Sequence, residues 1–163
     1  MTSSAAPTSA AALCVAAAAA CAAPAATPQA AITFDTAVVW VREGQDSARL
    51  VVEVAENAAQ HALGLADRAS LERGSGMLFL FSSQRYGGDG FQMWRTRMPL
   101  DVAFVDANGA ILRILSMEPC AETRADFCPG YYPSVEYVTA LEVNRGWFAA
   151  NRVGVGAVVR VDP

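Results

Sequence analysis

Lysine is absent from the chain: all twelve basic side chains are arginine, set against sixteen acids spread from Asp35 to Asp162. With a sequence pI near 4.9, there is no clustered basic face of the kind that a nucleic acid or an anionic membrane surface requires. Histidine occurs once, as His61, so a Ser-His-Asp triad would have to be built on that single ring, and no serine sits in a nucleophile-elbow setting. Metal-ligand spacing is missing too, because Cys120 and Cys128 are far from His61 in sequence; no metal and no cofactor are expected. The GVG beginning at Gly154 precedes a strand-like run and not a helix, which makes it a turn and not a phosphate loop. No internal repeat is visible.

Charge is missing altogether from residues 1–31, where Ala dominates. Such a segment cannot belong to the folded core. Leu13 to Ala20 is an apolar run too brief for a membrane span, and small residues precede Cys21, as in an export leader. Two readings stand side by side: a lipoprotein leader with Cys21 lipidated and Ala22 to Ala31 as tether, or a signal peptide cleaved between Ala23 and Ala31. Either implies an exported protein, periplasmic or envelope-anchored, that meets a membrane only through its N-terminus. Residues 32–163 then form a single globular domain, long enough to bury one core. In an exported chain its two cysteines, Cys120 and Cys128, are most economically a disulfide closing the loop from Ala121 to Phe127.

What is present reads as short strands. Ile32–Val41 and Arg49–Val54 are β-rich runs around a turn-rich loop, a hairpin signal. Asn57 then opens NAAQHALGLADR with Gln60 three residues on, a capping-box spacing at the start of a short helix that ends near Gly64. Gly76–Phe81, GMLFLF, is continuously apolar and suits a strand buried on both faces. Ser82 to Gly90 is polar and glycine-rich, and reads as a loop. The turn DANG from Asp106 predicts pairing between residues 100–106 and 110–118. Pro119 to Pro133 is irregular; Tyr137–Val143 is another strand, Arg145–Asn151 a helical turn, and Ala157–Val161 a last strand. The expected fold is α+β: an antiparallel-dominated, small barrel-like sheet of about eight short strands with two short helices.

The stretch Phe91 to Asp106, FQMWRTRMPLDVAFVD, carries the candidate chemistry. Read at strand period, Phe91, Met93, Arg95 and Arg97 share one face, and Trp94 is presented outward beside Gln92. Asp101 enters the apolar segment Val102 to Val105, and an ionised carboxylate there needs a partner. An arginine reaching inward, or a turn cap, would supply one. The mixture of Trp94, Arg95 and Arg97 with Tyr131, Tyr132 and the helix-following Arg68 suits stacking on a sugar or small molecule and holding an anionic group. Asp101 and Glu142 are the alternative, a carboxylate pair for a glycosidase-like hydrolase. A third expectation is structural: Asp101, Glu142 and Arg68 gathered in one half-buried polar cluster.

The helix ending GLADR, then GMLFLF, FQMWRTRMPLDVAFVD and YVTALEVNRGWF, resembles the family called domain of unknown function 192, over roughly Ala48 to Val161. The family pattern falls on Gly64, Leu65 and Arg68, on Gly76 to Phe79, on Pro99 to Asp101, and on Leu141 to Val143 with Gly146 and Trp147. Where the family reads Phe-Trp-Met-Lys-Asn-Thr, this chain reads Phe91-Gln92-Met93-Trp94-Arg95-Thr96, so aromatic and cation have changed places. The Met usual after Gly-Leu is Ala66. The resemblance implies a fold and frequent export, but no catalytic residues.

Overall fold

In the computed structural model, residues 1–2 and 31–162 are described. The leader reading, Cys21 included, lies outside them.

Strands β1 (Asp35–Glu43) and β2 (Asp46–Ala55) form the expected hairpin, but longer and tighter than the sequence suggests. Only Gly44 and Gln45 separate them, with Gly44 at φ 57°, the left-handed value such a two-residue turn needs. Helix α1 (Ala58–Leu63) starts as its cap predicts: the Asn57 side chain accepts from the Gln60 N–H at 3.1 Å. Gln60 reaches back one residue further than a capping box requires, accepting from the Glu56 N–H at 2.9 Å. Then follow β3 (Ser75–Arg85), the two-residue β4 (Phe91–Gln92), β5 (Leu100–Val105), β6 (Ile111–Met117), the two-residue β7 (Gly130–Tyr131), β8 (Tyr137–Asn144), α2 (Trp147–Ala150) and β9 (Val158–Val161). The apolar run at 76–81 continues as strand through Ser82–Arg85, so the expected loop shrinks to residues 86–90. Polar side chains on an exposed strand end imitate a loop in sequence.

Seven strands form one sheet in the order β6-β5-β8-β3-β2-β1-β9, and β4 pairs with β7 apart from it. Antiparallel pairing dominates as expected, with one exception that makes the sheet mixed: β2 and β3 run parallel. The sheet curls into a half-barrel. At one end its two edges meet, where the Val159 N–H donates to Gly109 O at 2.7 Å and the Ile111 N–H to Ala157 O at 2.9 Å.

Alternation along the strands sorts the core into two layers on opposite faces of the sheet. One gathers Val39, Leu50, Leu78, Ala103, Ile111, Leu141, Val143 and Val159, closed over by Phe148 of α2. The other holds Met77, Phe79, Leu100, Val102, Phe104 and Ala140, covered by Leu65 beyond α1 and by Met93 and Met98. Strands β3, β5 and β8 are apolar on both sides because both layers bear on them.

Candidate functional site

Register decides where the two acids go. Across β5 and β8, Asp101 stands opposite Val143 and Val102 opposite Glu142. Paired residues share a face and neighbours alternate, so Asp101 points into the layer closed by α2 and Glu142 into the other. Both are buried, at 5% exposure each, but the sheet lies between them. The carboxylate pair needed for two-acid glycoside hydrolysis is not formed.

Asp101 is a structural cap. Its carboxylate accepts from the Ser116 hydroxyl at 2.6 Å and from the Gly146 N–H at 2.7 Å, joining β5 to β6 and to the start of α2. No arginine serves it. Arg95 instead pairs with Asp67, its Nε donating to Oδ1 at 2.9 Å, and this bond holds the Asp67 carboxyl below its usual range. The alternation expected from Phe91 to Met98 fails for the same reason: β4 ends at Gln92, and Arg95 sits at φ 62° in a turn. Arg68 pairs with Glu53, near the surface. The expected cluster of Asp101, Glu142 and Arg68 is therefore three separate arrangements.

Glu142 is different. On its face it is flanked by Met77 of β3 and Val102 of β5, one on each side of the ladder. Neither can donate a hydrogen bond. Burial alone pushes its carboxyl up to about 8, so near neutral pH it is mostly an uncharged acid.

The Glu142 side chain lines a cavity of about 460 Å³ between the sheet and the segment His61–Ala66. That segment closes α1 and turns at Gly64, whose φ of 47° favours glycine. Phe79, Phe81, Phe91 and Tyr137 give aromatic walls, with Trp94 and Tyr132 at the rim. The walls are fixed by edge-to-face packing: Phe79 on Phe91 at 5.0 Å, Phe81 on Tyr137 at 5.6 Å and Phe104 on Tyr137 at 4.9 Å. Two of the polar groups around them are engaged within the protein, while the buried Arg85 Nε has no hydrogen-bond partner among the described residues. His61 Nε2 lies 3.0 Å from Ala55 O and 3.1 Å from Leu80 O, which makes it the protonated, donating nitrogen. The Tyr137 hydroxyl donates to Asp89 O at 2.7 Å.

Of the ligand-binding candidates, the cavity takes in Trp94 and Tyr132, together with Glu142. Trp94 is half-buried and not simply outward, with the Arg95 guanidinium 5.2 Å from its ring centre. Tyr131 is elsewhere engaged: it pairs with Phe91 in β7, and its hydroxyl accepts from the Glu118 N–H at 2.9 Å. Arg97 is exposed, beside Pro119 and Cys120. Cys120 and Cys128 are joined as a disulfide, and Cys120 bridges the backbone of Trp94, which ties the irregular loop to the cavity rim. Sequence reasoning missed His61, Phe81, Arg85 and Tyr137 as cavity residues. The available signal was the glycine after α1, which bends the chain over the sheet. Among the described residues, no three His, Cys, Asp or Glu side chains converge as a metal site would need. No helix among them is long and apolar enough to cross a membrane.

A family model for domain of unknown function 192, described as "Uncharacterized ACR", matches residues 39–161. Among solved structures, a Sinorhizobium meliloti 1021 protein provisionally described as a transcription regulator superposes with a TM-score of 0.69 at 24% identity, covering 81% of this chain and 98% of its own. A protein of unknown function from Novosphingobium aromaticivorans DSM 12444 gives 0.61 at 26%, covering 86% and 94%. The first likeness is one of fold alone. No curated protein matches the chain.

Proposed function

The chain belongs to the family of uncharacterized proteins named domain of unknown function 192, and from that premise we propose that it is an exported, non-catalytic module that binds a small molecule in the cavity beneath α1. The observation that carries this reading is a roomy, aromatic-walled cavity holding one buried carboxyl that has no hydrogen-bond partner among the described residues. Pockets of this size, with aromatic walls and a few convergent polar groups, are where small ligands bind. The Trp94 and Tyr132 rim supports it, since half-exposed aromatic rings give contact area at little entropic cost. The glycan version is weaker: the hydroxyl of Tyr137 and Nε2 of His61 are already engaged within the protein.

A fragment library screened by saturation-transfer NMR tests the reading. Hits on the wild type should disappear in Ala66→Trp, which fills the cavity, and weaken in Trp94→Ala, with folding of both verified by circular dichroism. Hits that persist in both variants, or none on the wild type, would remove the proposal. Export is tested separately, by fusing residues 1–31 to a phosphatase active only outside the cytoplasm, with Cys21→Ser to distinguish a lipid anchor from a cleaved signal.

A further inference from the structure

We infer that the cavity takes an organic cation, an amine or quaternary ammonium on an apolar body, with its charge set against the Glu142 carboxyl and its carbon skeleton against the aromatic walls. This rests on the binding reading above and adds the chemical class of the ligand.

The polar inventory of the cavity carries the inference. The Tyr137 hydroxyl and His61 Nε2 spend their protons on backbone carbonyls. Arg85, the one guanidinium lining the cavity, lies 5.4 Å from the centre of the Phe81 ring and 3.5 Å from the Asp89 carboxylate. Asp89 counters its charge in part, while its buried Nε is left without a hydrogen-bond partner among the described residues. Glu142 is left as the one acid in the lining, buried, with Met77 and Val102 on either side. A ligand with hydroxyls all round would strand most of them without partners, whereas one with a single polar head would not. The best head for a lone carboxyl is a cation, because charge-assisted bonds are about twice as strong as neutral ones. An anionic head would find only Arg85, whose guanidinium already faces the Asp89 carboxylate and the Phe81 ring.

The walls point the same way. Phe79, Phe81, Phe91, Trp94, Tyr132 and Tyr137 line the cavity, and the faces of such rings attract positive charge through their quadrupoles. Two of these faces already receive guanidinium groups from the chain itself, Phe81 from Arg85 and Trp94 from Arg95. The cavity therefore has cation-accepting surface around an acid without a counter-ion.

Binding of a cation draws Glu142 into its ionised form. Burial holds the empty site's carboxyl up at about 8, and the other titratable groups lining the cavity are His61, Arg85, Tyr132 and Tyr137. Affinity for a permanently charged ligand should thus rise by about one to two orders of magnitude between pH 6 and pH 9.

The test uses the full chain with benzylamine, benzyl alcohol and benzoate at pH 8, and benzyltrimethylammonium from pH 6 to 9, followed by titration calorimetry and NMR shifts of the Trp94 indole. Benzylamine should bind about tenfold or more tighter than benzyl alcohol, and Glu142→Gln should abolish that preference along with the pH dependence. Equal binding of the alcohol, tighter binding of benzoate, or a flat wild-type pH profile overturns the cation assignment while leaving the cavity as a binding site. If none of the probes binds, the cation assignment and the binding reading fall together.

Discussion

Glu142 stands directly across the ladder from Met77 on one side and from Val102 on the other, so an acid occupies a position that its two neighbours fill with apolar side chains. Its folded-state carboxyl is raised from the ordinary value near 4.5 to about 8 by burial. Between those values the native protein keeps a proton that the unfolded chain has lost. The contribution of Glu142 to stability is therefore fully present below about pH 4.5 and is lost as pH climbs to about 8, a change on the order of 3 to 5 kcal/mol. Glu142→Gln keeps the shape without the titration. Urea denaturation from pH 5 to 9 should show the variant matching wild type at pH 5 and exceeding it at pH 9; parallel curves would show that the acid is not isolated.

Substitution at Asp101 should destabilise the fold, because its carboxylate is fully partnered. Asp101→Ala strands the Ser116 hydroxyl and the Gly146 N–H, and should cost about 2 to 4 kcal/mol in urea denaturation. Ser116→Ala should cost about 1 kcal/mol. Neither change should alter probe binding beside Glu142, since the sheet separates the two faces. A binding defect in Asp101→Ala at full occupancy of the native state would contradict the assignment.

Replacing Cys120 and Cys128 together by serine opens the loop they close. The chain-entropy estimate for so short a loop is about 2 to 3 kcal/mol of lost stability. Because Cys120 bridges the Trp94 backbone, weaker probe binding should accompany it. Unchanged affinity in the doubly substituted protein would show that the rim holds without the disulfide.

Gly90 is a close-approach position. A Cβ there would lie 2.4 Å from Tyr131 O and 2.7 Å from Tyr132 Cδ1. Gly90→Ala must push Tyr132 off the rim and should lower stability by about 1 to 3 kcal/mol. A wild-type melting curve combined with wild-type probe affinity would refute this.

Local chemistry was legible in the sequence, and register was not. The Asn57 cap, the turn after Asp106 and the hairpin it closes are decided by residues within a few positions of one another, and they occur where expected. Trp94 and Tyr132 stand out in the sequence as rings suited to stacking on a ligand, Trp94 through a strand alternation that ends at Gln92 in the structure. The isolation of Glu142 depends on how β3, β8 and β5 align over more than sixty residues, which no local pattern encodes. Arg95 turned to Asp67 because one left-handed residue ended the strand early, and Arg95 has no glycine to announce it. Ser82–Arg85 looked like loop because an exposed strand end has no apolar partner to reveal it.

The parallel pairing of β2 with β3 obliges the intervening chain, residues 56–74, to travel back along the sheet before β3 can begin. That return path supplies one wall of the cavity, His61 to Ala66, while the strands supply the other. The covering wall is thus written in a stretch of its own, whereas Glu142 and most of the aromatic walls sit on the strands that build the core. Exchanging 56–74 among relatives offers a way to graft a new preference onto an unchanged framework.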